Sequence, residues 1–311
     1  MEKRKCLVTG GAGFIGSNLV KEMLKNNYRI TVVDDLSTGR ISSLEDILPQ
    51  INFINDDFSS DEVIKQINFQ KFDTIFHLAA IPRVLYSIEN PYETTDNNVL
   101  KTIKLINASC NNIEKFIFSS SSSVYGGADK MPTFPSHEKN PKSPYAWQKS
   151  TIEDALKMFS SLHNLNSISL RYFNVFGPGQ LGGSAYSTVI SAWCHAIKNN
   201  QALRKDGTGE QSRDMCYIDN VVHANILADR SSSVFTGETF NVACGESVTN
   251  NQILNKFQEK FKNLNIKQAP FRKGDVMHTL ADISDTTKAI NYHPLVRFWD
   301  GLEKTFEWWN L

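Results

Sequence analysis

The stretch Val8-Thr9-Gly10-Gly11-Ala12-Gly13-Phe14-Ile15-Gly16 follows a short apolar run, and a second apolar run, Thr31-Val32-Val33-Asp34-Asp35, ends in two acids. This order predicts a strand, a glycine turn, a helix and a second strand. Gly10 would form the tight turn, Gly13 would let the backbone approach a pyrophosphate, and Gly16 would let the helix pack closely on the strand. The helix N-terminus would hold the anion. The sequence therefore predicts a dinucleotide-binding βαβ unit.

The acid at the end of the second run indicates which dinucleotide is bound. A carboxylate at Asp34 can accept hydrogen bonds from the adenine ribose hydroxyls. The same charge would repel a ribose 2′-phosphate. We therefore expect NAD rather than NADP as the cofactor.

Charge balance and apolar patterning narrow the class of protein. The 311 residues include 33 Lys plus Arg and 33 Asp plus Glu, so no net basic field favours nucleic acid or an anionic membrane surface. The apolar stretches are well under the roughly 20 residues that span a bilayer, and the N-terminus runs directly into a predicted strand rather than a signal peptide. We expect a soluble, cytoplasmic protein. The five cysteines and seven histidines lack metal-ligand spacing, so we expect neither a disulfide framework nor a metal site.

Strand-like and helix-like segments alternate along the chain. This alternation predicts an α/β fold with a Rossmann-like, doubly wound parallel sheet and a smaller C-terminal substrate-binding lobe. Residues 1–175 would form the NAD-binding domain, to which the chain could later return, and residues 176–311 would form mainly the substrate-binding lobe. Ligands of such sheets lie at the carboxyl ends of the strands. The candidate residues that follow predicted strands are Asp34, Asp57, Phe58, His77–Ala80, Ser119–Ser123 and Asn174.

A second group of residues predicts acid–base chemistry. Tyr145 and Lys149 lie four residues apart in a predicted helix and so share one face. A phenol with a pKa of about 10 is a poor base at neutral pH, and a nearby ammonium ion lowers that pKa. The upstream serine run Ser119–Ser123 can supply a hydroxyl that bridges Tyr145 and a sugar hydroxyl.

Ten motifs in order resemble the extended short-chain dehydrogenases/reductases of the nucleotide-sugar epimerase/dehydratase family. They are TGGAGFIG (9–16), VVDDLSTG (32–39), NDDF (55–58), HLAA (77–80), NNV (97–99), FSSSSSVYG (118–126), YAWQK (145–149), RYFNVFGPGQ (171–180), SRDMCYIDNVV (212–222) and FRKGDV (271–276). The resemblance covers essentially the whole chain. It implies a homodimer formed through the helices around 98–110 and 145–159.

The resemblance also implies three sets of site residues. The catalytic set is Tyr145, Lys149, Ser121, Ser122 and Ser123. The NAD-binding set is Gly10, Gly13, Phe14, Ile15, Gly16, Asp34, Asp35, Ser37, Thr38, Gly39, Asp57, Phe58, Leu78, Ala79, Ala80, Asn98, Ser119, Tyr145, Lys149 and Tyr172. The substrate-binding set is Arg83, Ser121, Ser122, Asn174, Gln180, Tyr186, Arg213, Arg272, Asp275 and Thr279. Asn174, Arg213 and Arg272 would bind the diphosphate of a UDP-sugar, and Asp275 would bind a uridine ribose hydroxyl.

Departures from the family pattern favour one reaction over the others. The serine run lacks the Asp-Glu pair of the dehydratases, and Ser123 stands where UDP-xylose-forming decarboxylases tend to have Glu. These departures favour simple epimerisation. Through the segments 172–177 with Gln180, 185–186, 212–217 and 274–284, the sequence resembles most the UDP-N-acetylglucosamine 4-epimerases. In that subgroup the Thr279 position faces the sugar, and a small residue there admits an N-acetyl group. UDP-glucose and UDP-galactose form a second candidate substrate pair.

Arg83 is compatible with alternative functions. It follows HLAA, where the subgroup has small residues, and it would either narrow the pocket or attract a carboxylate. The alternatives are a UDP-uronic acid 4-epimerase, a nucleotide-sugar dehydratase, reductase or decarboxylase on the same fold, and a non-catalytic NAD-binding protein. The intact Tyr145, Lys149 and serine set disfavours the last of these.

Overall fold

A seven-stranded parallel sheet forms the centre of the molecule. The computed structural model describes residues 3–127, 130–183, 187–271 and 276–311. The sheet order is β11-β6-β5-β4-β1-β2-β3. Its strands are β1 (Lys5–Thr9), β2 (Arg29–Val33), β3 (Asn52–Ile54), β4 (Thr74–His77), β5 (Lys115–Ser121), β6 (Ser167–Tyr172) and β11 (Thr236–Val242). The predicted Rossmann-like α/β fold is confirmed.

Helices pack on both faces of this sheet and, in the second half of the chain, against smaller strands and one another. They are α1 (Phe14–Lys25), α2 (Asp61–Gln70), α3 (Val84–Glu89), α4 (Pro91–Thr95), α5 (Lys101–Ser109), α6 (Pro144–His163), α7 (Val189–Lys198), α8 (Ile218–Arg230), α9 (Asn250–Lys260), α10 (Ser284–Ile290) and α11 (Phe298–Trp309). A π-helical turn, Asp96–Leu100, joins α4 to α5. Successive strand side chains point to opposite faces, so Leu7 enters one apolar cluster and Val8 the other. Both clusters are buried, which explains why the central strands β1 and β4 carry apolar side chains on both faces.

The second half of the chain both extends the sheet and forms small additional sheets. Strand β11 pairs in parallel with β6, and α8 packs against α1. Three two-stranded sheets are formed by β7 (Val175–Phe176) with β10 (Cys216–Tyr217), β8 (Leu203–Asp206) with β13 (Ile266–Ala269), and β9 (Ser212–Asp214) with β12 (Ser247–Thr249). The division at residues 175 and 176 stays a prediction, and residues after it contribute to the central sheet.

Two further features concern the cysteines and the apolar character of the helices. All five cysteines are buried free thiols. Within the described ranges, no helix combines the length and apolar character needed to cross a bilayer.

Candidate active site

The turn after β1 has the geometry of a phosphate cradle. Gly10 has a φ of +70°, and a Cβ there would lie 2.7 Å from the Ala79 backbone nitrogen. A Cβ at Gly16 would overlap the Gly10 carbonyl oxygen. Gly13 caps the N-terminus of α1 without a side-chain hydrogen bond, and the space beside it is open except for the Gly10 oxygen. The residues present therefore fit a dinucleotide pyrophosphate held at a helix N-terminus. Phe14 and Ile15 form the first turn of that helix.

The end of β2 presents a fixed carboxylate beside this cradle. Asp34 accepts hydrogen bonds from the backbone N–H groups of Ala12 and Leu36, both at 2.9 Å. Burial raises the pKa of this carboxyl, and the two hydrogen bonds act in the opposite direction. A Cβ at Gly39 would lie 2.6 Å from Asp34 Oδ1, so the loop approaches the acid closely. The adjacent Asp35 accepts hydrogen bonds from the backbone and hydroxyl of Ser37, and Thr38 follows in the same loop.

The adenine side of the predicted cofactor site contains an ion pair. Lys101 Nζ lies 2.6 Å from Asp57 Oδ2. Burial works to raise the pKa of Asp57, but the hydrogen bonds from Lys101 and Ser59 outweigh it, and the net shift is downward. The side chain of Phe58 is buried and its ring packs 4.9 Å from that of His77. Only the backbone of Phe58 remains available to a ligand.

Two other residues of the predicted cofactor set have their polar side-chain atoms engaged within the protein. Asn98 accepts a hydrogen bond from the N–H of Ile81 and donates to the Ile81 oxygen and to Gln148. It thereby holds the loop after β4, in which Leu78, Ala79 and Ala80 lie. The Tyr172 hydroxyl is buried between Ser119 and Asn225. Direct contacts of these side chains with cofactor stay predictions.

Helix α6 brings the predicted acid–base pair to the end of β5. Lys149 Nζ donates to the Ser119 carbonyl oxygen at 2.7 Å and lies 5.9 Å from the centre of the Tyr145 ring. Burial lowers the pKa of Lys149 to about 7. Burial also raises the pKa of Tyr145 to about 12, while a hydrogen bond with the Ser121 side chain opposes that rise. The structure thus brings Tyr145, Lys149 and Ser121 together.

The serine segment beyond β5 has an unused hydroxyl. Ser121 Oγ accepts a hydrogen bond from the Ser123 backbone N–H at 3.2 Å, and Ser122–Tyr125 form a 3₁₀ turn. Ser123 Oγ is buried, and none of the residues that the structure describes lies within hydrogen-bond distance of it. Its position next to Ser121 leaves this hydroxyl available to a ligand group or a water.

The predicted substrate side is built from loops of the second half. Thr279 Oγ1 accepts the Asp214 N–H at 3.1 Å, and Arg213 Nη1 donates to the Ser212 and Met277 carbonyl oxygens. The Asn174 carbonyl oxygen accepts the Cys216 N–H at 3.1 Å. These bonds place Arg213 close to the Thr279 position, and Asn174 pairs with the strand that follows Arg213. The predicted substrate residues Tyr186, Arg272 and Asp275 lie outside the described residues.

The side-chain amide of Gln180, also predicted to bind substrate, forms hydrogen bonds within the protein. Its Nε2 donates to the Val175 carbonyl oxygen at 3.0 Å, and its Oε1 accepts the hydroxyls of Thr188 and Ser191. The side chain therefore connects β7 to the start of α7. A contact between this amide and substrate stays a prediction.

Sequence reasoning missed two residues that support the site. Ser87 of α3 accepts the Tyr145 backbone N–H on its Oγ at 3.1 Å. Asp214 accepts three backbone N–H groups, from Cys244, Gly245 and Ala281, and burial raises its pKa to about 7. No local sequence signal reveals either contact, because the partners are distant in the chain.

The glycine cradle, the acid after β2 and the Tyr145–Lys149 pair define a dinucleotide-binding protein of the short-chain dehydrogenase/reductase class. The model of the NAD dependent epimerase/dehydratase family matches residues 6–243. The chain belongs to this family.

Relatives match the chain over nearly its full length. A putative UDP-glucose 4-epimerase of Methanocaldococcus jannaschii is 32% identical over 306 residues, which cover 97% of each chain. The solved UDP-N-acetylglucosamine 4-epimerase of Methanobrevibacter ruminantium M1, in complex with UDP-N-acetylmuramic acid, is 37% identical with a TM-score of 0.93 and covers 100% of this chain and 99% of its own. The UDP-glucuronic acid 4-epimerase of Bacillus cereus, with UDP-glucuronic acid and NAD, is 30% identical with a TM-score of 0.89, over 98% and 99% of the two chains.

Proposed function

We propose that the protein is an NAD-dependent UDP-sugar 4-epimerase that interconverts UDP-GlcNAc and UDP-GalNAc, with UDP-glucose and UDP-galactose as a second pair. The observation that carries the proposal is the meeting of Tyr145, Lys149 and Ser121 at the end of β5, in the same sheet as the glycine cradle. Named relatives act on several UDP-sugars at C4.

Tyr145 is the acid–base residue of the proposed reaction. Its phenolate takes the proton of the sugar C4 hydroxyl and later returns it, with Ser121 bridging the two groups. NAD, held by the glycine cradle and Asp34, would supply the hydride acceptor and donor that inversion at C4 through a 4-keto sugar requires. Burial, opposed by the hydrogen bond with Ser121, raises the pKa of Tyr145 to about 12. In this proposal a positive charge on Lys149 lowers that pKa so that the phenol can act near neutral pH.

The loops of the second half bind the nucleotide in this proposal. Asn174 and Arg213 contact the diphosphate, together with Arg272, and Asp275 contacts the uridine ribose. Arginine suits the task because its planar fork binds two phosphate oxygens at once. Thr279 borders the sugar, where its small side chain leaves room for an N-acetyl group.

A UDP-uronic acid 4-epimerase is the second candidate, and Arg83 favours it. Arg83 precedes α3, and its carbonyl oxygen accepts the N–H of Ser87, which in turn holds the backbone of Tyr145. The guanidinium carbon lies 6.0 Å from the centre of the Tyr86 ring. A cation one helical turn from the residue that holds Tyr145 can attract a carboxylate on the sugar.

The proposed assembly is a homodimer that buries the outer faces of α5 and α6. Trp147, Met158 and Leu162 of α6 and Leu100, which directly precedes α5, are large apolar side chains, and each is about half exposed or more. Several exposed apolar side chains on neighbouring helices are typical of interfaces between protein chains.

Proton NMR of the purified protein with UDP-GlcNAc, UDP-glucose and UDP-glucuronic acid, each supplied separately with catalytic NAD and no reductant, tests the proposal. We expect the C4 epimer of UDP-GlcNAc to appear, and an epimer of UDP-glucuronic acid alone would establish the second candidate. The Tyr145→Phe variant should bind NAD and produce no epimer. No epimer from any of the sugars, with NAD bound, would contradict both candidates.

A further inference from the structure

Helix α6 carries a third inward-facing residue. Glu153 lies four residues after Lys149 and eight after Tyr145, so the three share one helix face. Its side chain is 2% exposed. Oε1 accepts the Ser120 hydroxyl at 2.6 Å and Arg171 Nε at 2.8 Å, and Oε2 accepts Arg171 Nη2 at 2.7 Å. The carboxylate thus joins the catalytic helix to both β5 and β6.

The second partner of this carboxylate extends the connection to the far end of the serine segment. Arg171 Nη1 donates to the Tyr125 hydroxyl at 2.8 Å and to the Pro135 carbonyl oxygen at 2.9 Å. Tyr125 ends the 3₁₀ turn Ser122–Tyr125, and its hydroxyl donates to Asn241 at 2.6 Å. Ser120 precedes the segment 121–123 and Tyr125 closely follows it. One buried ion pair therefore holds both ends of the segment.

We propose that Glu153 is a positioning residue which, through Ser120 and Arg171, fixes the serine segment 121–123 against the helix that carries Tyr145 and so sets the contact between Ser121 and the phenol. The inference rests on the proposed function of Tyr145 and Ser121. An error of about 1 Å in such a contact lowers turnover by about a hundredfold, so a buried tether at each end of the segment has a direct effect on the rate.

The charge of Glu153 supports the same arrangement. Its carboxylate raises the pKa of Lys149 against the larger lowering effect of burial. Lys139 approaches Glu153 Oε2 at 3.7 Å from the rim and also pairs with Asp154. On the side of the sheet, the buried His77 ring is neutral, because burial and the Lys149 charge lower its pKa to about 3. Glu153 is thus the anion that favours the charged form of Lys149.

Ser120→Ala tests the tether without disturbing the ion pair. Ser169→Ala is the matched control, because Ser169 is also a fully buried serine of the central sheet and its Oγ has no hydrogen-bond partner among the described residues. We expect Ser120→Ala to lower kcat about tenfold with KM and NAD content unchanged, while Ser169→Ala leaves all three unchanged. Equal effects of the two substitutions would overturn the proposal.

A second readout does not depend on turnover. The ionisation of Tyr145 can be followed by phenolate absorbance in the NAD-loaded protein, with Tyr145→Phe as the blank. We expect Ser120→Ala to shift this titration to higher pH, because Ser121 then loses its position, and Glu153→Gln to shift it further, because Lys149 loses its favourable anion. If Glu153→Gln fails to fold, the phenolate titration of Ser120→Ala alone tests the inference. A titration unchanged in Ser120→Ala would overturn the inference, whereas lack of epimer with wild-type protein would contradict only the proposed function.

Discussion

At the scale of single residues, His77 has a role that differs from that of its neighbours in the loop after β4. Its Nδ1 lies 2.7 Å from the Thr9 hydroxyl and its Nε2 lies 3.0 Å from the Thr102 hydroxyl. Burial, with a smaller effect from the Lys149 charge, lowers its pKa to about 3. The side chain is therefore a neutral, hydrogen-bonded part of the core beneath the candidate active site, and direct ligand contact is left to the backbone around it.

This pKa shift predicts how stability depends on pH. The unfolded chain binds a proton on this histidine below about pH 6.5 and the folded chain does not, so folding stability is present above that pH and falls as the pH drops towards 3. The loss by pH 5.5 is about 1.4 kcal/mol. We expect His77→Gln to reduce the stability difference between pH 8 and pH 5.5 by about that amount in urea unfolding. His163→Gln, at an exposed position, is the control, and a matching reduction there would refute the assignment.

Thr279 provides a test of sugar selection. Thr279→Tyr should lower kcat/KM for UDP-GlcNAc at least about tenfold more than for UDP-glucose, because the larger ring occupies the space predicted for the N-acetyl group. The substitution also removes the hydrogen bond from the Asp214 N–H. Thr279→Val removes that bond without the added ring and is the matched control. Equal losses with both sugars would mean that Thr279 does not select the substrate.

The residue types of the site could be predicted from sequence better than their contacts. The pair Tyr145 and Lys149 follows from helix spacing, and the structure places both beside Ser121. Glu153 continues the same four-residue spacing, so the sequence offered a signal for it. The hydrogen bonds that Gln180 accepts from Thr188 and Ser191 could not be predicted in this way, because they depend on tertiary packing.

At the scale of elements, the start of α6 determines where Tyr145 lies. Ser143 caps this helix by accepting the Ala146 N–H on its Oγ at 3.2 Å, and Pro144 occupies the first turn. We expect Ser143→Ala to cost about 1 kcal/mol of stability and to lower kcat severalfold, because Tyr145 is two residues from the lost cap. Urea unfolding and steady-state assays measure the two effects.

The control for this prediction is another helix cap. Thr249 accepts the Gln252 N–H at 3.1 Å at the start of α9, so Thr249→Ala should cost a similar stability and leave kcat unchanged. The Ser143→Asp variant should keep the stability and kcat of the wild type, since aspartate also caps helices well. A kcat loss in Thr249→Ala as large as that in Ser143→Ala would show that general destabilisation, rather than the position of Tyr145, lowers activity.

Elements of the central sheet could be predicted because local patterns determine them. Strands such as β1, β2 and β4 contain short apolar runs, as expected for a parallel sheet covered on both faces. The pairing of β11 with β6 could not be read from the sequence, because Thr236 and Ser167 are distant in the chain and meet only through tertiary packing. The pairing in the small sheets of the second half could not be predicted either, because their strands are only two to four residues long.

At the scale of the whole molecule, the outer face of α6 argues for assembly. Met158 and Leu162 are 50% and 67% exposed and lie one helical turn apart. An apolar face of this kind beside the exposed Leu100 and Trp147 would be costly in water if it stayed uncovered. We therefore expect light scattering to give a mass about twice that of the 35.1 kDa chain.

Charges placed on this face should separate the dimer. The double substitution Met158→Glu and Leu162→Glu is expected to yield a monomer, because two carboxylates per chain would be buried without partners at the interface. Phe69→Glu is the matched control, since Phe69 is 83% exposed on α2 and outside the proposed interface. It should remain dimeric. Because the contacts that hold Tyr145 and the glycine cradle lie within one chain, the monomeric variant should still bind NAD; a monomeric wild type at micromolar concentration, or dissociation of Phe69→Glu as well, would contradict this interface.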